Sequence, residues 1–290
     1  MQDRTQRQAQ AKKHIGLMRN VFVSEIEASI AGTRIYEDGD GREIDVREPV
    51  CEQTATRVTT DFASKVLYSC TGEAVIIDPA GFTRPGGGYE DGGSGPEATL
   101  CADSDLYPIL CGLKKSFHDK NRGWESGQLF SDRAAYIPGV AFARGGEVRR
   151  ADVVAIAAPN RKRALENGRS KELCDQMLGF RIEAMLRVAA SGQATTLVCP
   201  AFGCGMQGND AAQVAGLIGA WLDAHPGVFE HVVFSVPRSC EAAFGNVFGV
   251  SEQPARTARP ARDEAERRTR DDDEDESWRD IELPEGVTLR

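Results

Sequence analysis

Short apolar runs rich in β-branched residues recur along the chain: Ala74-Val-Ile-Ile-Asp78, Ala151 to Ala158, Thr195-Thr-Leu-Val-Cys199 and Phe229 to Val236. Runs of this length and type read as buried strands. Longer segments between and around them carry apolar residues at helical spacing. Lys171 to Ala190 sets Leu178, Ile182, Met185, Leu186 and Ala189 on one face, and Asp210 to Ala224 sets Val214, Ile218 and Leu222 on another. Leu100 to Phe117, Val21 to Ala31 (Ile26 and Ile30 at i, i+4) and the short Cys240 to Phe244 are further helix expectations. Val66–Tyr68 is a weaker strand candidate, and Ala134 to Phe142 is a run broken by a turn that leads toward a strand. Glu37 to Arg47 is polar and turn-like. Alternating buried strands and amphipathic helices predict an α/β fold around a mixed sheet.

Two glycine-rich stretches follow strands directly. The first, Arg84 to Leu100, holds three consecutive glycines at Gly86, Gly87 and Gly88 and leads into a helix with Pro96 in its first turn. Three glycines in a row cost backbone entropy and pack nothing, so they suit positive φ or a close backbone approach. The second is Ala201-Phe-Gly-Cys-Gly-Met-Gln-Gly-Asn209. Strand, glycine turn and helix is the arrangement that presents N–H groups to phosphate, and two such units at one sheet edge suit a diphosphate. The alternative for each is a surface loop or a plain strand-to-helix turn. Neither stretch matches the P-loop or the dinucleotide fingerprint.

Composition narrows the classes. The chain has 290 residues, 41% of them hydrophobic, and a formal charge of −9. Residues 251–290 hold thirteen acidic and eight basic side chains and read as a charged disordered tail with no identified partner. This charge balance argues against sequence-specific DNA binding. No apolar run is long enough for a membrane span. Eight cysteines without a pairing framework suggest reduced thiols and a cytoplasmic protein. The four histidines are scattered, so no metal site and no cofactor is expected. The expected organisation is a polar N-terminal extension over 1–19, one domain over 20–250 and the tail over 251–290.

An ordered series of segments resembles the microbial-type poly(ADP-ribose) glycohydrolases. It comprises Asp78-Pro-Ala80, Pro85-Gly-Gly-Gly88, Pro96-Glu-Ala98, Leu106-Tyr107, Phe130-Ser-Asp132, Tyr136-Ile-Pro-Gly-Val140, Ala158-Pro-Asn160, Phe202-Gly-Cys-Gly205 and Gly208-Asn-Asp210. The resemblance implies a three-layer α/β/α macrodomain that binds ADP-ribose or an ADP-ribosylated macromolecule. It places Gly86, Gly87 and Gly88 on the distal ribose and phosphate side and counts Asp78 among the ligand-binding residues. Gly203, Cys204, Gly205, Met206, Gln207 and Gly208 would form the diphosphate loop.

The departures bear on activity. The family follows its triple glycine with Gln-Glu-Glu, whose second Glu is the catalytic acid; here the aligned triplet is Pro96-Glu97-Ala98. Glycosidic cleavage requires an acid for the leaving oxygen, and alanine supplies none. Gln207 stands where the family usually has an aromatic, and Asp78 where it usually has Asn. Three readings follow: an ADP-ribose-binding protein with weak or lost hydrolysis, an active hydrolase with a relocated acid such as Glu97, or a non-binding scaffold that acts through its tail.

Overall fold

The computed structural model describes residues 3–122 and 127–249. The expectations for the charged tail fall outside these residues. In chain order the elements are α1 (Arg4–Val21), α2 (Val23–Gly32), β1 (Arg34–Tyr36), α3 (Asp40–Glu43), β2 (Ala55–Thr59), α4 (Ala63–Leu67), β3 (Ala74–Pro79), α5 (Pro96–Ala102) and α6 (Leu106–Gly112). Then come β4 (Ala134–Arg144), β5 (Glu147–Ile156), α7 (Arg161–Glu166), α8 (Lys171–Ala190), β6 (Thr196–Pro200), α9 (Ala211–Ala224), β7 (His231–Ser235) and α10 (Arg238–Phe248).

The strands form one seven-stranded sheet in the order β1-β4-β5-β3-β6-β7-β2. β4 pairs antiparallel with both β1 and β5, and every other pairing is parallel. The sheet is therefore mixed, as the alternating pattern implies. β3 shows why three layers form. Its side chains alternate, so Val75 and Ile77 enter the core shared with α8, α9 and α10, while Ile76 enters the opposite core shared with α4, α5 and α6. A strand covered on both faces needs an unbroken apolar run, and Ala74 to Ile77 supplies it.

Several local expectations are corrected. Val66 and Leu67 lie in α4, where a three-residue apolar run serves a short helix as well as a strand. The helix expected over Leu100 to Phe117 is two helices, because Ser104 bridges to Phe142 and the Asp105 carboxylate accepts from Ala141 N–H. β4 is a single irregular strand, its register shifting between Ile137 and Val140 while Gly139 N–H donates to Asp152. β5 begins four residues earlier than the buried run, after a turn at Gly145 and Gly146, both with positive φ.

α1 spans the boundary expected at residue 20. α1 buries Ala11, His14 and Met18, and its side chains reach the first glycine loop. Arg4 Nε donates to Asp91 O and Arg7 Nε to Gly92 O, each at 3.0 Å, and Gln8 donates to the Asp91 carboxylate. Among the described residues no helix is long and apolar enough to cross a membrane.

Candidate functional site

β2, β3, β6 and β7 run parallel, so their carboxyl ends lie on one edge of the sheet, where open α/β sheets bind ligands. A cleft of about 270 Å³ opens there. Thr60 to Ala63 line it after β2, Pro79 in β3, Ala201 and Gly205 after β6, and Val236 and Pro237 after β7. Ser94, Pro96 and Thr99 form its other wall. Phe62 is 65% exposed at its rim, a large apolar ring available to a flat partner. Thr60, Phe62, Val236 and Pro237 were not singled out from sequence, because nothing in their local pattern separates them from ordinary strand-end residues.

The first loop follows the central strand β3. Gly86, Gly87 and Gly88 have φ of 68°, 54° and 87°, three successive left-handed residues that only glycine adopts without strain. A Cβ on Gly86 would lie 2.5 Å from the Tyr107 ring, and one on Gly87 would lie 2.8 Å from Glu97 Oε2. The loop is thus wrapped closely around the Glu97 side chain. Glu97 is 3% exposed and accepts from Gly81 N–H at 2.7 Å and Gly86 N–H at 2.9 Å. Burial, and then the neighbouring Asp78 carboxylate, push its pKa well above the usual carboxylate range.

Asp78 is wholly buried, and neither of its oxygens has a hydrogen-bond partner among the described residues. Burial raises its pKa to about 8. It does not line the cleft. Glu90 and Asp91, the other carboxylates of this loop, pair with Arg84 on its outer side. Ala98 is buried one residue beyond Glu97, so the position carries no ionisable group.

The second loop is built differently. Gly203 and Gly208 have φ of 71° and 74° and set its two bends. Asn209 ties them together, its Nδ2 donating to Pro159 O at 3.0 Å and Gly203 O at 3.1 Å. Between the bends, the N–H groups of Gly205, Met206 and Gln207 donate to no acceptor among the described residues. Gly205 lines the cleft, and Met206 is 84% exposed. Consecutive unpaired N–H groups of this kind form an anion-binding concavity. Burial and contact with Cys240 push the Cys204 thiol up to about 12, so it holds no thiolate at neutral pH.

Asn160 accepts from Arg163 N–H and caps α7, which settles its place as a helix start. Among the described residues no cluster of three His, Cys, Asp or Glu side chains is placed to hold a metal ion.

A family model for the microbial-type PARG catalytic domain matches residues 5–145. The structure is similar to that of the poly(ADP-ribose) glycohydrolase of Thermomonospora curvata, with a TM-score of 0.75, 26% identity and coverage of 84% of this chain and 100% of that one. The same enzyme bound to the inhibitor ADP-HPD matches with a TM-score of 0.73 at 26% identity, over 83% of this chain and 99% of that one. The Deinococcus radiodurans enzyme in complex with ADP-ribose matches with a TM-score of 0.67 at 29% identity, over 76% of this chain and 96% of that one. No curated protein sequence matches. Residues 5–145 thus resemble the catalytic domain of the microbial-type poly(ADP-ribose) glycohydrolases, and the larger part of the chain shares the macrodomain-like fold of these bacterial enzymes.

Proposed function

We propose that this protein recognises ADP-ribose, or ADP-ribose attached to a macromolecule, with glycohydrolase activity weak or lost. The observation that carries the reading is the asymmetry of the cleft. Gly205 in its wall begins a run of three backbone N–H groups unpaired among the described residues, while the α5 residues that line it, Pro96, Thr99 and Leu100, carry no carboxyl group. In this reading the N–H groups of Gly205, Met206 and Gln207 take the diphosphate, Phe62 packs on the base, and the triple-glycine loop approaches the distal ribose.

Glu97 does not replace the missing acid here. Both of its oxygens are engaged by loop amides, and its burial keeps it from a leaving group in the cleft. Its role is to shape the first loop. A glycosidic bond then keeps its leaving oxygen unprotonated, which removes a contribution of about 10²–10⁴ in rate.

Calorimetry with ADP-ribose, run beside a release assay on poly- and mono-ADP-ribosylated protein, tests the reading. Binding without release is expected, and Ala98→Glu is expected to gain release. Release by the unmodified protein that disappears in Glu97→Gln would overturn the non-catalytic part. Absence of binding would overturn the whole.

A further inference from the structure

A diphosphate carries a negative charge on each phosphate, whereas the second loop offers it neutral backbone amides. Ala201 to Asn209 contains no charged side chain. The acidic residue that follows, Asp210, is occupied as the cap of α9, accepting from Gln213 N–H at 2.8 Å. A cation for this site therefore has to come from a neighbouring element.

α7 is bonded directly to the loop. The Lys162 N–H donates to Gln207 O at 2.9 Å. A Cβ on Gly208 would stand 3.0 Å from Lys162 Cβ, so the glycine lets the two segments approach and sets the root of the lysine side chain against the loop. Three consecutive cations open α7, and successive residues on a helix point about 100° apart. Arg161 is neutralised by Asp175 at 2.5 Å, a carboxylate that also accepts from Gln213. Arg163 follows Lys162 by one such step, and its N–H is the one that Asn160 caps. Lys162 is exposed and makes no ion pair or side-chain hydrogen bond among the described residues. Glu166, one turn along the same face, is not paired with it; a lysine that precedes its glutamate at i, i+4 is the weaker order of such pairs.

We infer that Lys162 is a ligand-binding residue, whose ammonium group extends past Gly208 to the diphosphate held by the amides of Gly205, Met206 and Gln207. The inference rests on the ADP-ribose reading above. A lysine fits this place because its ammonium is a compact point charge on a flexible four-carbon stem, able to follow either phosphate without a fixed geometry. Its charge-assisted contact adds to what the amides donate. The consequence is selectivity for anionic nucleotides over neutral nucleosides. Since the lysine is exposed, that selectivity is sensitive to ionic strength.

Calorimetry on the full chain with ADP-ribose and adenosine, at low and at high salt, tests the assignment. Lys162→Ala keeps the Cβ that stands against Gly208 and the N–H that holds Gln207, so the melting temperature is expected to stay. ADP-ribose affinity is expected to fall about three- to tenfold at low salt, the range for a charge-assisted contact at an exposed site. The gap between parent and variant is expected to narrow at high salt, and Lys162→Arg is expected to restore most of the loss. Arg163→Ala removes the same charge one residue along and is expected to lower affinity by about twofold or less. An ADP-ribose affinity unmoved by Lys162→Ala overturns the assignment, as does an equal fall in adenosine affinity. An equal fall in Lys162→Ala and Arg163→Ala also overturns the contact and leaves only the general field of α7. No binding of ADP-ribose by the parent protein overturns the cleft reading beneath it.

Discussion

The two glycine-rich loops end neighbouring strands of one sheet, yet their glycines serve different purposes. In the first, backbone and side chains close on each other: three left-handed glycines wrap a buried glutamate, and a tyrosine ring fills the space where a Cβ would stand. In the second, left-handed glycines occur at the two bends, and the N–H groups of the residues between them find no acceptor among the described residues. The first loop is fixed by what it encloses. The second leaves its amides unengaged. Glycine content alone does not distinguish an enclosing loop from a presenting one; the fate of the N–H groups does.

The largest effect that tests this contrast is on stability. Gly86→Ala forces a left-handed alanine into the Tyr107 ring, and strain plus overpacking are expected to cost about 2–5 kcal/mol, read from the denaturation midpoint. A Gly86→Ala protein as stable as the parent would break the comparison.

The next effect is electrostatic. A buried acid whose pKa rises from 3.8 to about 8 holds a proton in the folded state that the unfolded chain has released. Its contribution is fully present below about pH 4 and is lost as pH rises toward 8. Asp78→Asn is expected to raise the melting temperature most at pH 8 and least near pH 4, and so to flatten the stability profile. An unchanged profile would show that the carboxylate is not held in an unfavourable environment. Some slope should persist, since burial also raises the pKa of Glu97.

The smallest stability effect belongs to the second loop. A Cβ on Gly205 meets nothing within 4 Å, and the residue does not have positive φ. Gly205→Ala is expected to change stability by about 0.5 kcal/mol or less. Its added methyl group points the comparison at binding: ADP-ribose affinity is expected to fall several-fold in calorimetry while the melting temperature holds. A fall in both would place this loop with the first.

These contrasts also mark what the sequence could express. The layers were legible because β3, β5, β6 and β7 are covered on both faces and so carry continuous apolar runs. β1 and β2, at the sheet edges, are short and partly exposed, and no such run marks them. The triple glycine announced its positive φ, since no other residue tolerates it in succession. Glu97 announced nothing. Its burial follows from a loop folding back over it, a long-range event that leaves no periodic trace. The cleft wall from Thr60 to Ala63 was equally silent, because it is assembled from the ends of strands far apart in the chain. α1 was read as a polar extension because its buried stripe, Ala11, His14 and Met18, is narrow and includes a histidine.

The attachment of α1 has an evolutionary consequence. Arg4 and Arg7 grip carbonyl oxygens of the first loop, and every residue type carries a carbonyl. The grip on position 91 is therefore indifferent to the side chain there, whereas position 92 is held to glycine, since its φ is 76° and a Cβ on it would stand 2.4 Å from Arg4 O. Substitutions at position 91 can accumulate while the backbone path endures, so long as the two arginines and Gly92 persist. The helix leaves position 91 free to diverge while keeping the loop in place.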